Sequence, residues 1–102
     1  MGKIRWTHTA VEWLRNIYEY ISVNDPETAR KVSGGIFNKA KILEKFPYIG
    51  YELIQYRPKE IRVLLYGHYR IVYLIKNDNN IDILGVFHGS IDIKRYLKKN
   101  LL

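Results

Sequence analysis

Two hydrophobic periods divide this chain, and they constrain its fold more than any other feature. Over residues 9–46 the apolar positions return every three or four; from 61 onward come three β-rich runs separated by short polar or glycine turns. A period of 3.6 puts apolar side chains on one stripe of a helix, and a period of two puts them on one face of a strand. The first stretch is therefore predicted to be helical and the second to be sheet.

Each half carries its own punctuation. Residues 4–7 are short, alternating and rich in β-formers, as a strand would be. Thr9 and Glu12 have the spacing of a capping box, and Val11, Leu14, Tyr18 and Ile21 form the apolar stripe of a helix ending near Ser22. Asp25-Pro26 opens a second helix, with Asp25 as cap and Pro26 at the first helical position, where its missing N–H costs nothing. Ala29, Val32, Ile36, Ala40 and Leu43 give its buried stripe, and Phe46-Pro47 ends it. Gly34-Gly35 inside this helix weakens it by about 1 kcal/mol per glycine, and close packing against the first helix is the expected compensation.

In the second half, 51–56 reads as a short strand or ordered loop, broken by Arg57-Pro58-Lys59. Residues 61–66 and 69–75 flank Gly67-His68, a two-residue hairpin turn with glycine first. Asn77-Asp78-Asn79-Asn80 is a polar turn before a last strand at 81–88. Apolar residues fall on both faces of these strands, so the strands should be central. Ser90 then caps a short basic helix or tail over 91–99. The order β-α-α-β-β-β predicts an α+β domain, an antiparallel sheet packed on one face by a helical hairpin. At 102 residues the chain should form one domain over 1–102.

Seventeen Lys and Arg against ten Asp and Glu give +7. Such a balance draws a small domain to nucleic acid, an anionic membrane or an acidic protein. Lys94, Arg95, Lys98 and Lys99 crowd the C-terminal end, beside Tyr96. Such a basic, partly aromatic end can neutralise phosphates or insert beside a base; the plainer reading is a solvated helix face. With no cysteine there is neither disulfide nor thiolate chemistry. His8, His68 and His88 lack metal-ligand spacing, so no metal or cofactor is expected. The N-terminus lacks the apolar stretch of a signal peptide, and no segment is apolar enough to span a membrane, which makes the cytoplasm the expected compartment.

The residues that could carry chemistry are few. Arg70 lies mid-strand between tyrosines, and a guanidinium there must reach solvent, a ligand phosphate, or a carboxylate from Glu52, Glu60 or Asp82. The hairpin places Arg70 opposite Leu65, which leaves Arg62 a diagonal neighbour at best. His88 is of the residue type that most often does general acid–base work at neutral pH, though a histidine in this setting is more often structural. Whether His88 and Arg70 share a face depends on the turn between their strands. Trp6 and Trp13 read as core. No Walker loop, dinucleotide fingerprint, HExxH or nucleophile elbow occurs.

Several stretches together resemble the ParE/RelE superfamily, the toxins of type II toxin–antitoxin systems also called plasmid stabilisation proteins. They are Ile4-Arg5-Trp6-Thr7, Ile17-Tyr18-Glu19-Tyr20-Ile21, Asp25-Pro26-Glu27-Thr28-Ala29, Leu43-Glu44-Lys45-Phe46-Pro47-Tyr48-Ile49-Gly50, Glu60-Ile61-Arg62, Tyr69-Arg70-Ile71-Val72-Tyr73 and Ile83-Leu84-Gly85-Val86-Phe87-His88-Gly89. Their order and spacing carry the likeness, and it agrees with the predicted order of elements.

The resemblance implies a compact growth inhibitor neutralised by a cognate antitoxin, and an acidic antitoxin segment would suit the +7 charge. ParE-like members inhibit DNA gyrase; RelE-like members cut mRNA on the ribosome without a metal. Arg70 matches the strand arginine of RelE-like nucleases, which ParE-like sequences often carry too. In the nuclease reading Arg62, Arg70, His88 and Tyr96 would be catalytic, with His88 or Tyr96 handling the proton and Arg70 offsetting phosphorane charge. In the gyrase reading Arg62, Arg70, Lys94, Arg95, Lys98 and Lys99 would contact the target or partner. Two departures favour ParE: the strand before Arg70 offers only Arg62 and then Val63-Leu64-Leu65, and Ser90-Ile91 stand where RelE-like nucleases place a basic residue. The long helical hairpin is also ParE-like. A third reading is a toxin fold that has lost toxicity and only binds an antitoxin, as a regulator.

Overall fold

The computed structural model describes residues 2–89, a five-stranded sheet with two helices on one face. The elements run β1 (Ile4–Trp6), α1 (His8–Ser22), α2 (Pro26–Ala40), a 3₁₀ turn (Lys41–Glu44), β2 (Tyr51–Glu52), a second 3₁₀ turn (Ile54–Tyr56), β3 (Glu60–Tyr66), β4 (Tyr69–Ile75) and β5 (Ile81–His88). The strands stand in the order β1-β5-β4-β3-β2. The α+β class and element order are as predicted. The sheet is antiparallel except at its edge, where β1 pairs in parallel with β5, Ile4 opposite Ile81. The helical hairpin between β1 and the meander acts as a crossover, which is what a parallel pair requires.

Three local expectations change. Thr7, not Thr9, caps α1: its hydroxyl accepts from the Ala10 amide at 3.1 Å and donates to the Ile83 carbonyl at 2.7 Å. The cap thus ties the helix start to β5, and Glu12 turns to Arg15 at 3.2 Å instead of reaching back. The second helix does not stay α-helical to Phe46; it tightens to 3₁₀ at Lys41, a common end for a helix whose last turn must still bury a side chain, here Leu43. Gly35 does meet a close neighbour, but the neighbour is the Tyr66 phenol on β3, while Gly34 faces open space.

Two apolar clusters lie on either side of the sheet. Ile36, Leu43, Leu64, Ile71, Tyr73, Ile83 and Val86 fill the helix face. Ile61, Val63, Val72, Leu84 and Phe87 fill the other, with Tyr56, Leu53 and Trp13 against them. This explains why the strands are apolar on both faces. Trp6 stacks on Phe37 at 5.7 Å and Trp13 meets Phe87 edge-on at 4.7 Å, so both tryptophans pack as predicted. No helix among the described residues is long and apolar enough to cross a membrane.

Candidate functional site at the hairpin end of the sheet

The β3–β4 hairpin places the candidate residues. Gly67 takes φ +57° as the first of two loop residues, the conformation glycine adopts without strain. The register that follows sets Leu65 opposite Arg70 and Tyr66 opposite Tyr69. Across the next ladder Arg70 faces Phe87 and Tyr69 faces His88. Directly opposed residues share a face, so Arg70 lies on the face away from α1 and α2 and His88 on the face they cover. A bulge decides this. Ile75 pairs with Ile81 and Tyr73 with Ile83, but Val72 pairs with Gly85, leaving Leu84 as one extra residue on β5. Were the ladder to continue from Ile81 in regular register with no bulge, His88 would fall opposite His68 and share a face with Arg70.

Arg70 is half-buried and has no ion pair or hydrogen bond among the described residues. Each carboxylate considered for it is taken. Glu52 binds Arg57 through two bonds of 2.8 and 2.9 Å. Glu60 accepts from Arg62 Nε at 2.8 Å. Asp82 accepts from Arg5 at 2.9 and 3.0 Å and lies 3.7 Å from Lys76. The Arg5 fork holds the Asp82 carboxyl below its ordinary range, and the Arg57 bond does the same for Glu52.

Arg62 is placed differently. Besides Glu60, it donates from one terminal nitrogen to the carbonyls of Tyr48 (3.2 Å) and Gly50 (2.6 Å), and it lies 5.0 Å from the Tyr48 ring centre. Its guanidinium pins the loop that leads into β2. Buried Tyr73 pins the same loop, donating to Pro47 O at 2.7 Å and accepting from Gly50 N at 3.0 Å. Burial pushes the Tyr73 phenol pKa up. No sequence motif marked this clamp; a tyrosine mid-strand reads only as core.

His88 lies 6.2 Å from the His68 ring and meets Tyr69 edge-on at 5.7 Å. The sequence marks His68 only as a turn residue without metal-ligand spacing, since a turn position carries no periodic signal that would place it beside His88. His68, Arg70 and His88 border one open groove of about 300 Å³ with Leu65, Gly67 and Gly89. His88 also borders a larger apolar groove of about 510 Å³ beside α1, lined by Trp13, Ile17, Tyr20 and Tyr69. So two candidate groups, Arg70 and His88, meet at a groove edge while pointing to opposite faces, and Arg62 is engaged elsewhere. Tyr96, Lys94, Arg95, Lys98 and Lys99, with the predicted basic segment, lie outside the described residues. Among the described residues no group of three or more His, Cys, Asp or Glu could hold a metal ion.

Against known families, residues 4–93 match the model described as the ParE toxin of the type II toxin–antitoxin system parDE. The chain belongs to the ParE toxin family. A solved structure described as a chromosomal ParDE system from P. aeruginosa superposes with a TM-score of 0.74 at 25% identity, covering 88% of this chain and 98% of that one. The RelBE2 toxin–antitoxin complex of Mycobacterium tuberculosis gives 0.54 at 24% identity, covering 85% and 96%, and shows a shared fold. No curated protein matches this ParE-family chain.

Proposed function

We propose that this toxin acts by binding, as an inhibitor of DNA gyrase neutralised by a cognate antitoxin. The observation that carries the reading is the dispersal of the groups a nuclease would need. Arg62 is committed to Glu60 and two carbonyls, and Arg70 and His88 project from opposite faces. General acid–base chemistry needs a proton acceptor within hydrogen-bond reach of the attacking hydroxyl and a cation on the same phosphate. The ParE family match and the ParDE neighbour support the same choice. On this reading Arg70, half-buried and without an ion pair among the described residues, contacts the target.

One observation favours a second reading, ribosome-dependent mRNA cleavage: Arg70, His68 and His88 all border the same small groove. Inducing the chain without antitoxin and pulse-labelling DNA and protein synthesis separates the two. Early loss of DNA synthesis supports gyrase inhibition; early loss of protein synthesis supports the nuclease.

A further inference from the structure

The outward face of α2 carries a line of cations that the site above does not use. Between residues 27 and 45 the chain has five cations, Arg30, Lys31, Lys39, Lys41 and Lys45, against Glu27 and Glu44. Arg30, Gly34, Phe37 and Lys41 follow at spacings of four, three and four, so they share one line along the helix. Lys31 and Lys45 lie beside it. Arg30, Lys31, Lys41 and Lys45 are all exposed, and none joins an ion pair among the described residues.

The line is built for close approach by something anionic. Gly34, at its middle, presents no side chain and has open space before it. Phe37 is already stacked on Trp6 and has the Lys41 ammonium 5.4 Å from its ring centre. The exposed amide of Asn38 completes the middle. A protein interface of useful affinity needs a cluster of apolar anchors at its centre, and this line offers only Phe37, 46% exposed and stacked on Trp6. Contact with a nucleic-acid backbone needs only cations, amides and a low surface.

Spacing selects the form of nucleic acid. Eleven residues separate Arg30 from Lys41, about 16 Å at 1.5 Å per residue. The major groove of B-form DNA is about 12 Å wide and admits a helix, so cations at the two ends reach phosphates on both rims. The corresponding groove of A-form RNA is deep and narrow and does not fit a helix.

We infer that the outward face of α2 binds the phosphate backbone of duplex DNA across its major groove. This goes beyond gyrase inhibition and stands or falls without it. The test uses the full chain and a fluorescein-labelled random-sequence duplex, followed by anisotropy over a salt series. R30Q/K41Q is compared with K3Q/K59Q, which removes the same charge from exposed positions elsewhere. Glutamine keeps helix propensity, so the fold should persist and circular dichroism checks it. The expected result is about tenfold weaker binding for R30Q/K41Q at low salt, a log–log salt slope reduced by about 2, and little change for K3Q/K59Q. Equal losses in both variants, or none in R30Q/K41Q, overturn the assignment. So does equal affinity for an RNA duplex, or displacement by polyglutamate at lower concentration than by unlabelled DNA.

Discussion

Arg70 and His88 stand on opposite faces of the sheet because Leu84 is an extra residue in β5. One inserted residue reverses every side chain beyond it, so a sequence that looks like a cluster of Arg, Tyr and His is divided between two surfaces. The consequence is spatial separation: a cation on the face away from α1 and α2, and a histidine packed by Tyr69 and His68 on the face they cover.

Arg70→Ala should therefore leave the fold intact and weaken the toxin. No ion pair or hydrogen bond among the described residues is lost, so stability should change by less than about 0.5 kcal/mol. Inhibition of gyrase should become about tenfold or more weaker if the guanidinium meets the target. Thermal melting and a supercoiling titration check the two parts. Full inhibition by the variant would remove Arg70 from the contact.

Arg62→Ala should behave in the opposite way. The side chain is only 18% exposed and supports Glu60, Tyr48 O and Gly50 O at once. Removing it strands a partly buried carboxylate and two carbonyls, at a cost of about 2 kcal/mol. Urea unfolding should show that loss. An unchanged midpoint with weakened inhibition would instead make Arg62 a target contact.

Tyr73→Phe removes one oxygen from the same clamp. Pro47 O loses its donor and Gly50 N its acceptor. The expected loss is about 1–3 kcal/mol, with faster amide exchange at Gly50 than at β4 as the local sign. An equally protected Gly50 amide would mean that the clamp rests on Arg62 alone.

Much of this was legible beforehand, for physical reasons. Apolar period and turn chemistry act locally, so the helices, the Gly67 turn and the Leu65–Arg70 pairing follow from neighbouring residues. The bulge at Leu84 does not, since its only sign is Gly85, whose Cβ would lie 2.6 Å from the Phe87 ring. Nor do partner choices among charges. Arg5 is 77 residues from Asp82, and only the parallel pairing of β1 with β5 brings them together. The same holds for Thr7, whose cap is chosen by its bond to Ile83 O rather than by the spacing of Thr9 and Glu12.

Acid should loosen the sheet edge through Asp82. Its folded pKa is depressed below 3.8, chiefly by the Arg5 fork. A depressed carboxyl stabilises the fold fully above the unfolded value, and that stabilisation disappears as pH falls through the folded value. Thermal stability should thus drop below about pH 4, and Asp82→Asn should flatten that part of the profile while lowering stability at pH 7. A profile that is identical in the variant would contradict the pairing.

The most direct test is a supercoiling assay with purified gyrase, relaxed plasmid and ATP, titrated with the purified toxin. Inhibition by a binder predicts loss of supercoiling as the toxin approaches and exceeds gyrase, with translated mRNA left whole in a parallel ribosome reaction. Undisturbed supercoiling together with cut mRNA would contradict the account and make Arg70, His68 and His88 members of a nuclease centre.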